Sequence, residues 1–139
     1  MTAAQRLARF AATLSLDAIP RPLVEQATLL ALDTLGNGLA AAGEDFGRAA
    51  LDVAERLGGA SESALLGRAA RVAAANAVLA NATLAHGLDF DDTREDAIVH
   101  TGCVAVTTAL AVGEAVGASG RAMLEALVAG VEVDRKSVV

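Results

Sequence analysis

The chain has two histidines, His86 and His100, and they bracket its most chemically loaded stretch, His-Gly-Leu-Asp-Phe-Asp-Asp-Thr-Arg-Glu-Asp-Ala-Ile-Val-His. Five of the seventeen acids fall between Asp89 and Asp96. Imidazoles exchange protons near neutral pH, and carboxylates bind cations, cap helices or orient imidazoles. The plainest reading is a solvated loop, with Asp92 or Thr93 capping a turn and Asp96 adding charge near a helix start. Calcium is excluded by spacing. Asp89-x-Asp91 opens like an EF-hand loop, but position 93 is Thr, no Gly stands at 94, and the closing Glu is missing. Magnesium with a diphosphate is a weaker alternative. Asp91-Asp92-Thr93-Arg94-Glu95 has the acidic form used by all-α isoprenoid synthases, where Asp91, Asp92 and Glu95 would share the ions. A second acidic motif is missing, and three Phe are too few to line a carbocation pocket. The remaining reading is proton transfer. His100 stands at or just before a helix start, where the helix dipole disfavours an imidazolium and suits a neutral imidazole acting as base or hydrogen-bond partner.

The elements that must position this stretch read as helices. The first runs from about Ala3 to Leu14, and Ser15 to Pro22 breaks it. Pro22 opens a second helix reaching about Ala41, with Leu23, Ala27, Leu30, Leu35 and Leu39 at helical spacing. Gly36 and Gly38 inside it invite close packing or a kink. Asp45 caps a third helix ending near Leu57, before Gly58-Gly59. Ser61 to Gly67 reads as a brief extended segment or turn. Helix four covers Arg71 to Leu88. Helix five covers Gly102 to Val116 and is apolar on nearly every face, which predicts burial on all sides. Gly117 ends it, and Ser119 caps a sixth helix over Arg121 to Val133. The polar stretch thus joins the two most apolar helices at the mouth of the core, where a pocket could form.

The whole is one all-α unit of about six helices spanning 1–139. At 54% hydrophobic residues but 2% aromatic, its core must be built from Ala, Leu and Val. A net charge of −6 argues against a nucleic-acid partner. No basic amphipathic face marks a membrane surface. The longest uncharged runs, Val72 to Leu88 and Ala97 to Gly113, fall short of the ~20 apolar residues a span requires. One cysteine, Cys103, excludes an internal disulfide, and the cytoplasm is the expected location. Helix six is still apolar at Val133, six residues before the chain stops, which points to a truncated segment.

The run Asn81-Ala-Thr-Leu-Ala-His86-Gly-Leu-Asp89-Phe-Asp91-Asp92-Thr93, followed by His100 and then Ala109-Leu-Ala-Val-Gly-Glu114, resembles the MmgE/PrpD family. So do Asp33-Thr-Leu-Gly36-Asn-Gly38 and the stretch from Gly117 to Val133. The family includes 2-methylcitrate dehydratase, cis-aconitate decarboxylase and iminodisuccinate epimerase. The resemblance implies the N-terminal portion of a helical domain, joined in a longer protein to an α/β lid domain absent here. It implies a homodimer working on small polycarboxylates without metal or organic cofactor, by proton transfer next to a carboxylate with loss of water or CO₂, or by epimerisation. Carried over by position, His100 and Asp89 are the catalytic candidates, and Thr93 and His86 the substrate-binding ones. Asp91 and Asp92 are expected only to shape and cap the loop. The family usually has Pro after the final His; here Thr101 should loosen the backbone. Further His, Lys and Tyr residues of the active site are expected beyond Val139, so the chain is expected to be inactive alone. A non-catalytic helical interaction module is the alternative.

Overall fold

The computed structural model describes residues 1–95 and 98–137, with side chains of the last helix as far as Asp134. Among the described residues six α-helices account for most of the chain. Helix α1 (Ala3–Thr13) starts in a capping box, Thr2 exchanging hydrogen bonds with Gln5. A single 3₁₀ turn (Leu16–Ala18) leads to α2 (Arg21–Ala41), which starts one residue before Pro22. Helix α3 (Asp45–Leu57) follows. Asp45 is not its cap: the N-cap is Glu44 without a side-chain bond, and Asp45 lies in the first turn, paired with Arg48. Gly58, at a φ of +58°, ends α3, as the Gly-Gly pair predicts.

A two-residue antiparallel hairpin intervenes, β1 (Ser63–Ala64) with β2 (Arg71–Val72). Its second strand corrects the expected start of helix four. Arg71 and Val72 are held extended by pairing with Ala64 and Ser63, so α4 runs over Ala74–His86. The Glu62 carboxylate accepts the Ala74 N–H at 2.9 Å and serves that helix start. Helix α5 (Thr101–Val116) ends at Gly117, φ +64°, and α6 (Gly120–Ser137) follows, with the Ser119 hydroxyl accepting the Ala122 N–H.

Helix α4 is the centre. It packs against α2, α3, α5 and both strands, and α5 in turn packs on α2 and α6. Small side chains allow this: Ala41, Ala54, Ala77 and Ala80 are fully buried around Leu51 and Leu84. Burying a leucine such as Leu84 contributes about 1.5–3 kcal/mol. Of the two glycines in α2, Gly38 is the contact, since a Cβ there would lie 2.6 Å from the Leu66 side chain, whereas Gly36 faces open space. Helix α5 is not buried on all sides. Val104, Val112 and Val116 form an exposed stripe on the face away from α2 and α4. Thr108 lies in the same stripe, but the buried faces also carry Thr101 and Thr107, so composition does not mark the exposed one. Among the described residues no helix is long and apolar enough to cross a membrane.

Asn81 fastens the hairpin to α4. Its side-chain oxygen accepts the Leu66 N–H and its amide donates to the Ala64 carbonyl, both at 3.0 Å. Replacing it with Leu leaves both backbone groups unpaired in a half-buried place, so Asn81→Leu should cost about 1–3 kcal/mol and lower Tm by several degrees in a thermal melt. An unchanged Tm would show that the hairpin is not held this way.

Candidate active site

The site forms where α4 ends and α5 begins. His86 is the last residue of α4. Gly87 follows because nothing larger fits: a Cβ there would lie 2.1 Å from the Phe46 ring, which α3 lays over the helix end. Two residues on, Asp89 adopts a left-handed φ of +57°, a conformation short polar side chains tolerate. The chain turns back, exposes Phe90 and buries Asp91 beneath the end of α4. The Asp92 carboxylate then accepts the Gly102 N–H at 2.8 Å, capping the positive end of α5. A Cβ on Gly102 would lie 2.3 Å from Asp92 Oδ1 and 2.8 Å from Thr34 Oγ1, so this approach requires glycine.

Asp91 organises the centre. Its side chain is 0% exposed, between His86 at 50% and His100 at 24%. His86 Nδ1 lies 3.2 and 3.1 Å from its two oxygens. His100, the N-cap residue of α5, brings Nδ1 to 3.3 Å from Oδ1. That second contact is too poorly aligned for a hydrogen bond, and His100 Nδ1 is buried without a hydrogen-bond partner among the described residues. The two rings stack at 4.6 Å between centroids, tilted by 55°. Donor atoms of His86, Asp89, Asp91 and His100 all lie within 4.8 Å of one another, a set that could hold a metal ion.

Three of the four expected site residues, His86, Asp89 and His100, therefore converge. Thr93 stands exposed in the loop, with no hydrogen bond to that cluster among the described residues. Asp91 was missed. Sequence reading gave it a loop-shaping role, but the structure buries it between the imidazoles; Asp92 is the carboxylate that caps. Only the five-residue step from His86 hinted at this, and it becomes meaningful once Asp89 reverses the chain. The expected role of Asp96 lies outside the described residues. Thr101 does not loosen the backbone. It is buried as the first residue of α5, and its hydroxyl donates to Asp134 of α6 at 2.8 Å. Residues 91–95 are not helical, so the carboxylate face needed for magnesium and diphosphate is not formed. The apolar grooves also lie elsewhere. One of about 380 Å³ runs between α5 and α6, and one of about 550 Å³ lies among α1, α2 and α6.

Burial pushes the Asp92 carboxyl up, the Gly102 N–H opposes this, and the neighbouring Asp91 charge adds to it. Cys103, buried in the first turn of α5, donates its thiol to the His100 carbonyl at 3.1 Å. Burial, and next the Asp91 charge, push this thiol up from 9.0 to about 11. It stays protonated at neutral pH, which removes it as a nucleophile. Because the folded value is the higher one, the associated stability is fully present below pH 9 and is lost as pH rises toward 11. The alkylation rate of native Cys103 should keep rising about tenfold per pH unit from pH 8 to 10. Levelling near pH 9, as in the denatured chain, would contradict this environment.

A family model described as the MmgE/PrpD N-terminal domain matches residues 5–137. No curated protein and no solved structure matches the chain.

Proposed function

Since this chain belongs to the MmgE/PrpD family through its N-terminal domain, we propose that it supplies part of the active site of a lyase or isomerase acting on small polycarboxylates. The reaction is proton transfer next to a carboxylate, with loss of water or CO₂ or with epimerisation, as in a 2-methylcitrate dehydratase-like enzyme. The observation that carries this reading is the buried carboxylate of Asp91 held between two imidazoles at the junction of α4 and α5.

In this reading His100 moves the proton. The negative charge of Asp91, 3.3 Å from His100 Nδ1, favours a proton on that nitrogen even without an aligned hydrogen bond, and leaves the Nε2 lone pair for the substrate. Asp91 is thus a positioning residue for both rings, a role close to that of the acid in a Ser-His-Asp triad. Asp89 and Thr93, exposed on the same loop, orient the substrate, and the half-exposed His86 borders it. The loop is acidic while the substrate is anionic, so cationic groups must complete the site. Arg94 alone does not balance Asp89, Asp91, Asp92 and Glu95. The reading therefore assigns further Lys, His and Tyr residues to a part of the protein outside residues 1–139, and takes the complete protein as a cytoplasmic homodimer.

His100→Gln in the complete protein should lower turnover of a small polycarboxylate by ~10²–10⁴-fold, with circular dichroism unchanged. Asp91→Asn should lower kcat far more than it alters KM, since Asp91 does not reach substrate. Near-normal turnover of His100→Gln would refute the reading.

A further inference from the structure

The cluster has a second capability that does not depend on the catalytic reading. We infer that His86, Asp89, Asp91 and His100 form a binding site for a divalent transition-metal ion of the zinc, cobalt or nickel class.

Three observations carry this. The first is convergence: the four side chains each bring one donor atom to within 4.8 Å of the others. The second is spacing. Ligands at 2.0–2.2 Å around a tetrahedral zinc stand about 3.3 Å apart, and Asp91 already lies 3.1 Å from His86 Nδ1 and 3.3 Å from His100 Nδ1. The third is an unmet demand. His100 Nδ1 is buried yet has no hydrogen-bond partner among the described residues, and its 3.3 Å approach to Asp91 is misaligned for one. A cation accepting the lone pairs of the imidazole and the carboxylate would satisfy both.

The chemistry of the donors sets the class of ion. Two imidazoles with two carboxylates suit zinc, cobalt or nickel, whereas magnesium and calcium prefer oxygen ligands throughout. The two negative charges of Asp89 and Asp91 match a dication, so loading the site relieves the mutual repulsion of the loop. Asp89 is exposed and can swing, which lets the set contract by the ångström or so that coordination requires. Four ligands from one short segment, residues 86 to 100, leave no large loop to be ordered on binding. If the proposed proton transfer also holds, a metal bound at Nδ1 would displace the proton that the Asp91 charge favours there and make Nε2 a poorer base, so zinc would act as an inhibitor and not as a cofactor.

The test is calorimetric titration of zinc chloride into the purified chain at neutral pH in a non-coordinating buffer. About one equivalent of zinc should bind with a Kd of about 10 µM or tighter, and magnesium chloride should give no binding heat. His86→Ala and Asp89→Asn, both at exposed positions, should each weaken zinc about tenfold or more with helicity unchanged by circular dichroism. Glu25→Gln, exposed on α2 away from the cluster, should bind as the wild type does. Absence of saturable zinc binding, or equal affinity in wild type and His86→Ala, would overturn the inference. The assay reads binding alone, so its failure is distinct from a failure of the catalytic reading, which rests on turnover by His100→Gln.

Discussion

A carboxylate without solvent access loses several kcal/mol of hydration unless partners replace it. Asp91 meets that demand through the hydrogen-bonded imidazole of His86, the last residue of α4, with the ring of His100, the residue before α5, set against its other side at 3.3 Å. Much of the local structure follows from seating this one side chain. The chain must reverse immediately after α4, which Asp89 achieves in a left-handed conformation. It must then reach α5 with its own charge managed, which Asp92 does by capping the Gly102 N–H. Burial, with the Asp91 charge next, also raises the neighbouring Cys103 thiol.

The rest of the fold serves to hold two helix ends against each other. Alanine at the contacts of α4 with α2, α3 and α5 lets the axes approach, and glycine is used where even a methyl group would collide. Gly87 lies under the Phe46 ring, and Gly102 against Asp92 and Thr34. Thr101 adds a tie from the start of α5 to Asp134 on α6. These constraints come from three separate helices, so the loop is built on a rigid frame although several of its own side chains are exposed. Such an arrangement suits a site whose reacting atoms must be positioned before a ligand arrives.

The sequence made the helical architecture readable because Ala, Leu and Val recur at helical spacing, and Pro20, Pro22, Gly58 and Gly117 punctuate them. It concealed what depends on partners distant in the chain. Arg71 and Val72 continue a helical pattern, yet pairing with Ser63 and Ala64 pulls them into a strand. The exposed stripe of α5 has the same composition as its buried faces, so periodicity could not separate them. In the site, residue type and position brought out His100, and the family resemblance added Asp89 and His86. Asp91 stayed hidden because, among five acids, nothing in the sequence tells the buried one from its solvated neighbours. The left-handed turn at Asp89, which decides the matter, is a property of the folded loop.

The account stands on Asp91 accepting the Nδ1–H of His86 and so anchoring the carboxylate between the two rings. Long-range ¹H–¹⁵N NMR of the two histidines reads this directly, at a pH where both rings are neutral. The account predicts that His86 is protonated at Nδ1 in the wild type and shifts toward the Nε2–H form in Asp91→Asn. An Nε2–H tautomer in the wild type, unchanged by that substitution, would contradict it.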